Sequence, residues 1–163
     1  MNKEAIVETF GLIISVFTFV YYVIFSMKEL GITRSISYTF EKHKKENKKY
    51  FPLFMIIFSL ALTPFAIYDS MPITGVSLIL IALTGAFPYV ANKKILKIHM
   101  LFIFSGIAGT IIDMGFNGML DITPSLVALG LIIISLLSRK KVYLIEVILF
   151  LYVAYSFFES IGY

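Results

Sequence analysis

The sequence predicts an all-α, polytopic membrane protein: a compact bundle of six transmembrane helices with both termini outside. Three observations carry that prediction. The 163-residue chain is 59% hydrophobic and 15% charged, with a mean hydropathy of +0.91, whereas a soluble domain carries about 25% charged residues. Its apolar residues gather into six runs of near-membrane length. Its bases fall almost entirely in alternate connections between those runs, the asymmetry that sets orientation in a membrane.

A helical span needs roughly 20 mostly apolar residues to cross a hydrocarbon core of ~30 Å. The runs cover 5–27, 50–68, 72–91, 98–116, 122–138 and 142–160, and the chain reads as a single domain over 1–163. The first, Ala5 to Met27, exceeds the roughly 7–15 apolar residues of a signal peptide. Glu4 and Glu8 stand beside Lys3 at its start, and it continues into Lys28-Glu29-Leu30 with no small-x-small cleavage pattern. A retained helix is expected. A basic cytoplasmic loop, 28–49, follows. The second run carries Pro52 near its start and Pro64 inside, where a proline frees a backbone carbonyl and permits a kink. The third ends at Phe87-Pro88, the fourth opens at Ile98-His99, the fifth is the shortest, and the sixth carries Glu146 one turn in.

Orientation follows from the bases. Lys28, Arg34, Lys42, Lys44, Lys45, Lys48 and Lys49 lie in the first connection, Lys93, Lys94 and Lys97 in the third, and Arg139, Lys140 and Lys141 in the fifth. That leaves Lys3 alone elsewhere, so the positive-inside rule puts these three connections in the cytoplasm of a multi-pass plasma (cytoplasmic) membrane protein. Tyr22, Tyr38, Tyr50, Tyr89 and Tyr143 fall near the expected inner interface, and Tyr68 and Tyr163 near the outer one, the depth amphipathic rings prefer. The net charge of +4 is thereby accounted for at the membrane surface, and no nucleic-acid partner is implied. The lysines of 41–49 would be drawn to anionic lipid, though orientation alone accounts for them.

The helices also carry polar faces. Glu8, Gly11, Ser15, Thr18 and Tyr22 recur at three- and four-residue steps in the first, which places them on one side. His99, Gly106 and Asp113 are seven apart in the fourth, with Gly109 and Thr110 close by, and Thr74, Ser77, Thr84 and Gly85 form a similar row in the third. Two readings stay open for the stripe of Glu8, Ser15, Thr18, His99, Thr110 and Asp113. It is a packing seam in which small residues let backbones approach and hydroxyls bond across helices, or it lines a polar path with Glu8 and Asp113 as an outer acidic vestibule. A second candidate is the inner-side pair His99 and Glu146, as a proton relay or as a His bonded to a carbonyl beside a Glu that snorkels toward Lys140 or Lys141.

No catalytic set is legible. Cysteine is absent and there are two histidines, His43 and His99, which leaves no ligand set for a metal. Phosphate-binding and dinucleotide glycine loops, the nucleophile elbow and the HExxH motif are missing, as are a potassium-type filter and a voltage-sensing Arg repeat. No cofactor is expected. Ser35-Ile36-Ser37-Tyr38, Phe87-Pro88 and Ile98-His99 together resemble a group of multi-pass bacterial membrane proteins of the Frag1/DRAM-like families, over about residues 30–110. That resemblance implies six helices and lipid-related work. His99, Asp113 and Ser105 are similar in type to the metal-site residues of the CREST-type membrane hydrolases, but the HxxxH-like pair is missing. The expectation is a non-catalytic protein that binds membrane lipids, a protein partner or a second copy. The alternatives are a small cation- or proton-coupled transporter and a membrane-embedded lipid hydrolase.

Overall fold

The computed structural model describes residues 3–33, 35–36, 38–86, 93–138 and 141–161, with the side chains of 93, 96, 141 and 160 outside that description. Arg34, Ser37, Phe87-Pro88, Tyr89, Arg139, Lys140 and Tyr163 therefore lie outside the described residues. Among those described, every regular element is a helix: α1 (Lys3–Leu30), α2 (Thr39–Lys42), α3 (Tyr50–Tyr68), α4 (Pro72–Ala86), α5 (Lys93–Phe116), α6 (Ile122–Leu136) and α7 (Lys141–Ile161). Four are long and apolar enough to cross a membrane, over Lys3–Leu30, Tyr50–Tyr68, Lys97–Phe116 and Val142–Glu159. Helices α4 and α6 are apolar but have 15 residues each, about 22 Å of axial length.

Two differences from the expected boundaries have plain causes. Helix α5 begins at Lys93, five residues before the apolar run, because lysines end a hydrophobic stretch without ending a helix. The connection 28–49, expected as a loop, contains α2 and buries Ile36, Thr39 and His43.

The chain runs up and down. Helix α1 packs on α3, α3 on α4 and α4 on α5; α7 returns against α1 and, more lightly, α5. The main neighbour of α6 is α7, and Ser135 is its buried residue. The tight turns use left-handed residues. After α3, Asp69 N–H bonds Phe65 C=O and Met71 N–H reaches back to Ala66 C=O, with Ser70 at φ 53. After α5, Met119 N–H reaches Met114 C=O across Gly118 at φ 70. Both close the exposed carbonyls of a helix end. Helix α4 then opens on Pro72, which fits a first turn. Helix α6 opens on Asp121, whose carboxylate accepts from Thr123 N–H at 3.1 Å.

The core is aromatic. Phe19 meets Phe150 at 5.1 Å between ring centroids, Phe58 meets Phe150 edge-on at 4.9 Å, and Phe54 stacks on Tyr22 at 4.7 Å. In lipid there is little hydrophobic gain between helices, so such shape-dependent ring pairs and close backbone approach hold the bundle. The approach is closest where Gly11 of α1 meets the Ala61 carbonyl of α3, and the glycines of α5 are packed nearly as tightly against α4. A Cβ on Gly106 would stand 2.6 Å from Ile81 Cγ1 and 3.0 Å from the Ser77 carbonyl oxygen, so the α4–α5 seam requires hydrogen there.

Candidate functional site

At the end of the bundle where α1 and α6 begin and α3, α5 and α7 finish, the stripe of α1 presents Glu8 toward the interior. The structure sets its carboxyl group against Asp69, the residue that ends α3. Glu8 Oε1 and Asp69 Oδ2 are both buried, and neither has a hydrogen-bond partner of ordinary geometry. Two carboxyl groups bond to each other only when one holds a proton. Burial pushes the Asp69 carboxyl above its ordinary 3.8, and the bond with Glu8 partly offsets that rise. Asp113, the other acid of the expected vestibule, is engaged elsewhere. Its Oδ2 accepts from Thr74 N–H at 2.7 Å, filling one of the donors that the first turn of α4 leaves open. Its position is that of a cap supplied by a neighbouring helix.

Between the two ends the stripe is short of free polar atoms. Ser15 donates to Leu12 C=O at 2.8 Å and Thr110 to Gly106 C=O at 3.0 Å, each bond staying within its own helix. Thr18 is half-buried at the side of the stripe, and Phe19 takes the interior position beside it. The rings of Phe19, Phe54, Phe58 and Phe150 thus lie between the acids and the polar groups at the far end.

That far end is a second polar centre, built around the segment that leads into α2. Tyr22, Ser26 and Glu29 follow one another down one face of α1. Thr39 Oγ1 donates to Ile36 C=O at 2.5 Å, so it accepts the proton of the Tyr22 hydroxyl, its other partner. Ile36 N–H in turn donates to Glu146 Oε2 of α7 at 2.5 Å. His43 lies 2.6 Å from Glu29 Oε2 through Nδ1 and 3.2 Å from Ser26 Oγ through Nε2, and its ring stacks on Phe25 at 5.2 Å. Asn47 Nδ2 adds a bond to Glu29 Oε2 at 3.0 Å. The buried Tyr143 hydroxyl, beside Glu146, finds no hydrogen-bond partner. The connection is therefore fastened to α1 and α7.

Glu146 is buried and accepts from Ile36 N–H, and His99 is fully buried with its ring 6.2 Å from Phe51; Lys140 and the Lys141 side chain lie outside the described residues. His99 and Asp113 serve opposite ends of α5. Their separation of 14 residues along one helix is about 21 Å, too far for a common metal ion. No group of three or more His, Cys, Asp or Glu suited to a metal occurs among the described residues.

Two apolar clefts run along α7 on the outside of the bundle. One, of about 530 Å³, lies between α1 and α7 and is lined by Leu12, Val16, Val20, Ala154, Tyr155 and Phe158 among others. The second, of about 390 Å³, lies between α6 and α7 and is lined by Pro124, Val127, Leu131, Ile148, Leu151 and Tyr155 among others. Tyr155 belongs to both.

Set against family models, curated proteins and solved structures, the chain matches none.

Sequence reasoning missed Asp69 as the partner of Glu8, and it read His43, Thr39 and Tyr143 as parts of a basic loop or of an interfacial belt. The spacing of Tyr22, Ser26 and Glu29 was the available signal, since it continues the buried face of α1 beyond the apolar core.

Proposed function

We propose that this chain is a multi-pass protein of a plasma-type membrane that crosses it six times, termini outside, and works by holding membrane lipid without catalysis. The pair of clefts beside α7 carries this reading. Both are lined almost wholly by apolar side chains, and both open sideways from helices whose outer faces are apolar. Acyl chains are what a bilayer places against such a surface. Orientation is supported by the sorting of charge. Glu8, Asp69, Asp113, Asp121 and Glu159 gather at one end of the helices, and the lysines of 42–49 and 94–97 at the other, the cytoplasmic one under the positive-inside rule.

The test is native mass spectrometry of the protein released from lipid nanodiscs into mild detergent. The wild type retains bound phospholipid. Leu131→Trp and Val20→Trp, each placing an indole in one cleft from an accessible position, lower retention several-fold with the melting temperature unchanged. A lipid-free wild type, or retention that neither variant alters, sinks the reading.

One observation favours a second reading, a proton-coupled carrier: the contact between the buried Glu8 carboxyl and that of the half-buried Asp69. It requires proton flux in proteoliposomes that Asp69→Asn abolishes. Equal flux in variant, wild type and empty vesicles removes it.

A further inference from the structure

We infer that the clefts on either side of α7 form one site, filled by a single two-chained lipid that sits astride the helix with an acyl chain in each. The inference rests on the lipid-holding reading above and specifies its ligand and stoichiometry. A phospholipid joins its two tails at neighbouring carbons of one backbone. Both tails therefore start at the same depth, side by side, in the same leaflet. The clefts meet each of those conditions.

Depth follows from the contacts that set the register of α1 and α6 against α7. The rings of Phe19 and Phe150 meet at 5.1 Å, and Ser125 Oγ lies 2.6 Å from the Tyr152 hydroxyl. Helices α1 and α6 both start where α7 finishes, so each runs antiparallel to it. Along α1 the first cleft extends from Leu12 to Val20, which is level with α7 from about Phe157 to Leu149. Along α6 the second extends from Thr123 to Leu131, level with about Ala154 to Glu146. The two stretches overlap in depth. Each is about 12 Å long by helical rise, within the roughly 15 Å that one leaflet contributes to the hydrocarbon core. The part of α7 long and apolar enough to cross is Val142–Glu159, and both clefts fall mainly in the half nearer Glu159. They belong to one leaflet.

Adjacency follows from Tyr155, which lines both clefts. Its hydroxyl donates to Glu159 Oε1 at 2.8 Å, so the ring is held along the ridge of α7 as a partition. On one side of it Ile148 and Leu151 face the α6 cleft, and on the other Ala154 and Phe158 face the α1 cleft. Tails seated on either side of one side chain remain within the span of one lipid. Two tails on one backbone also behave as a bivalent ligand. Once the first is seated, the second is presented to its cleft at a high effective concentration. A single-chained amphiphile has no such linkage, and occluding either cleft removes the advantage from the whole molecule.

The experiment is native mass spectrometry of the full chain, released into mild detergent from nanodiscs of diacyl phosphatidylcholine that contain a minor fraction of the lysophospholipid with the same headgroup and acyl chain. The wild type is expected to carry one diacyl lipid per chain, with the lysolipid depleted about tenfold relative to its share of the bilayer, as bivalent linkage supports. Val20→Trp and Leu131→Trp each lose most of that adduct, and the double variant is no worse than either. The lysolipid comparison uses the wild type alone, so it stands should a variant fail to fold. Two lipids on the wild type, an adduct that persists when one cleft is filled, or lysolipid retained at its bilayer share overturns the inference while leaving the lipid-holding reading in place. No retained lipid, including a lipid-free dimer that covers the clefts with a second copy, removes both.

Discussion

Buried polar side chains set the local chemistry at both ends of this bundle, and Asp69 gives the clearest measurable consequence. Its carboxyl is raised above the ordinary 3.8 by burial, so the folded state holds a proton there more tightly than the unfolded chain does. A raised carboxyl stabilises fully below its unfolded value, and that contribution is lost as pH rises through the folded one. The bond with Glu8 offsets part of that rise. Thermal unfolding in detergent is therefore expected to shift to lower temperature as pH rises from about 4 toward neutrality. Asp69→Asn, which keeps an acceptor and removes the charge, flattens the profile. An unchanged slope in the variant would show that other groups govern it. Residue by residue, the sequence disclosed which side chains share a face and not what stands opposite. Glu8 and Asp113 are both on buried stripes, as the spacing indicates, yet one meets Asp69 and the other Thr74 N–H. The partner of a helix face depends on which helix is adjacent, and spacing within one helix carries no information on that. The same holds for Glu146 and Ile36, which bond across 110 positions.

For helices, legibility was high where solvent alone decides and lower where packing does. Hydropathy placed the long runs because a backbone in lipid must be helical over the length of the core. It placed the apolar span of α5 within one residue, at 98–116 against Lys97–Phe116, while the helix itself begins earlier, since Lys93 and Lys94 leave the apolar run and continue the helix. The small residues of α5 belong to a contact that hydropathy does not register. Gly106 lies where a Cβ would strike Ile81 and the Ser77 carbonyl, while Gly130 of α6 has nothing within 4 Å of the same position. Gly106→Leu is therefore expected to lower stability by the roughly 1–3 kcal/mol typical of overpacking, or more where the helices must separate. Gly130→Leu leaves it within about 0.5 kcal/mol, as open positions do. Denaturation of the two variants in matched micelles checks the contrast, and equal losses would contradict the seam.

On the scale of the whole molecule, the absence of cysteine makes the proposed orientation directly measurable. Lys45→Cys and Asn117→Cys each introduce a single thiol, one at either end of the bundle and both exposed. A membrane-impermeant maleimide applied to intact cells should label Asn117→Cys at once and Lys45→Cys only after permeabilisation. The reverse pattern inverts the topology, and labelling of both without permeabilisation rejects the three crossings between them. Five helices make a closed ring through α7, whereas α6 lies outside it against α7, with Ser135 as its buried residue. That position has an evolutionary corollary. Apart from the positions that line the cleft with α7, a helix that fills no hole in its neighbours is under selection for solubility in lipid, so its letters there are free to drift among Leu, Ile, Val and Phe. Saturation mutagenesis scored by folded abundance should find α6 nearly indifferent to one apolar residue replacing another, and α1 and α3 intolerant of the same exchanges. Within α6 the constrained positions are then those that touch α7, and a sequence record of such drift would mark the lipid-facing wall of the molecule without any structure at all.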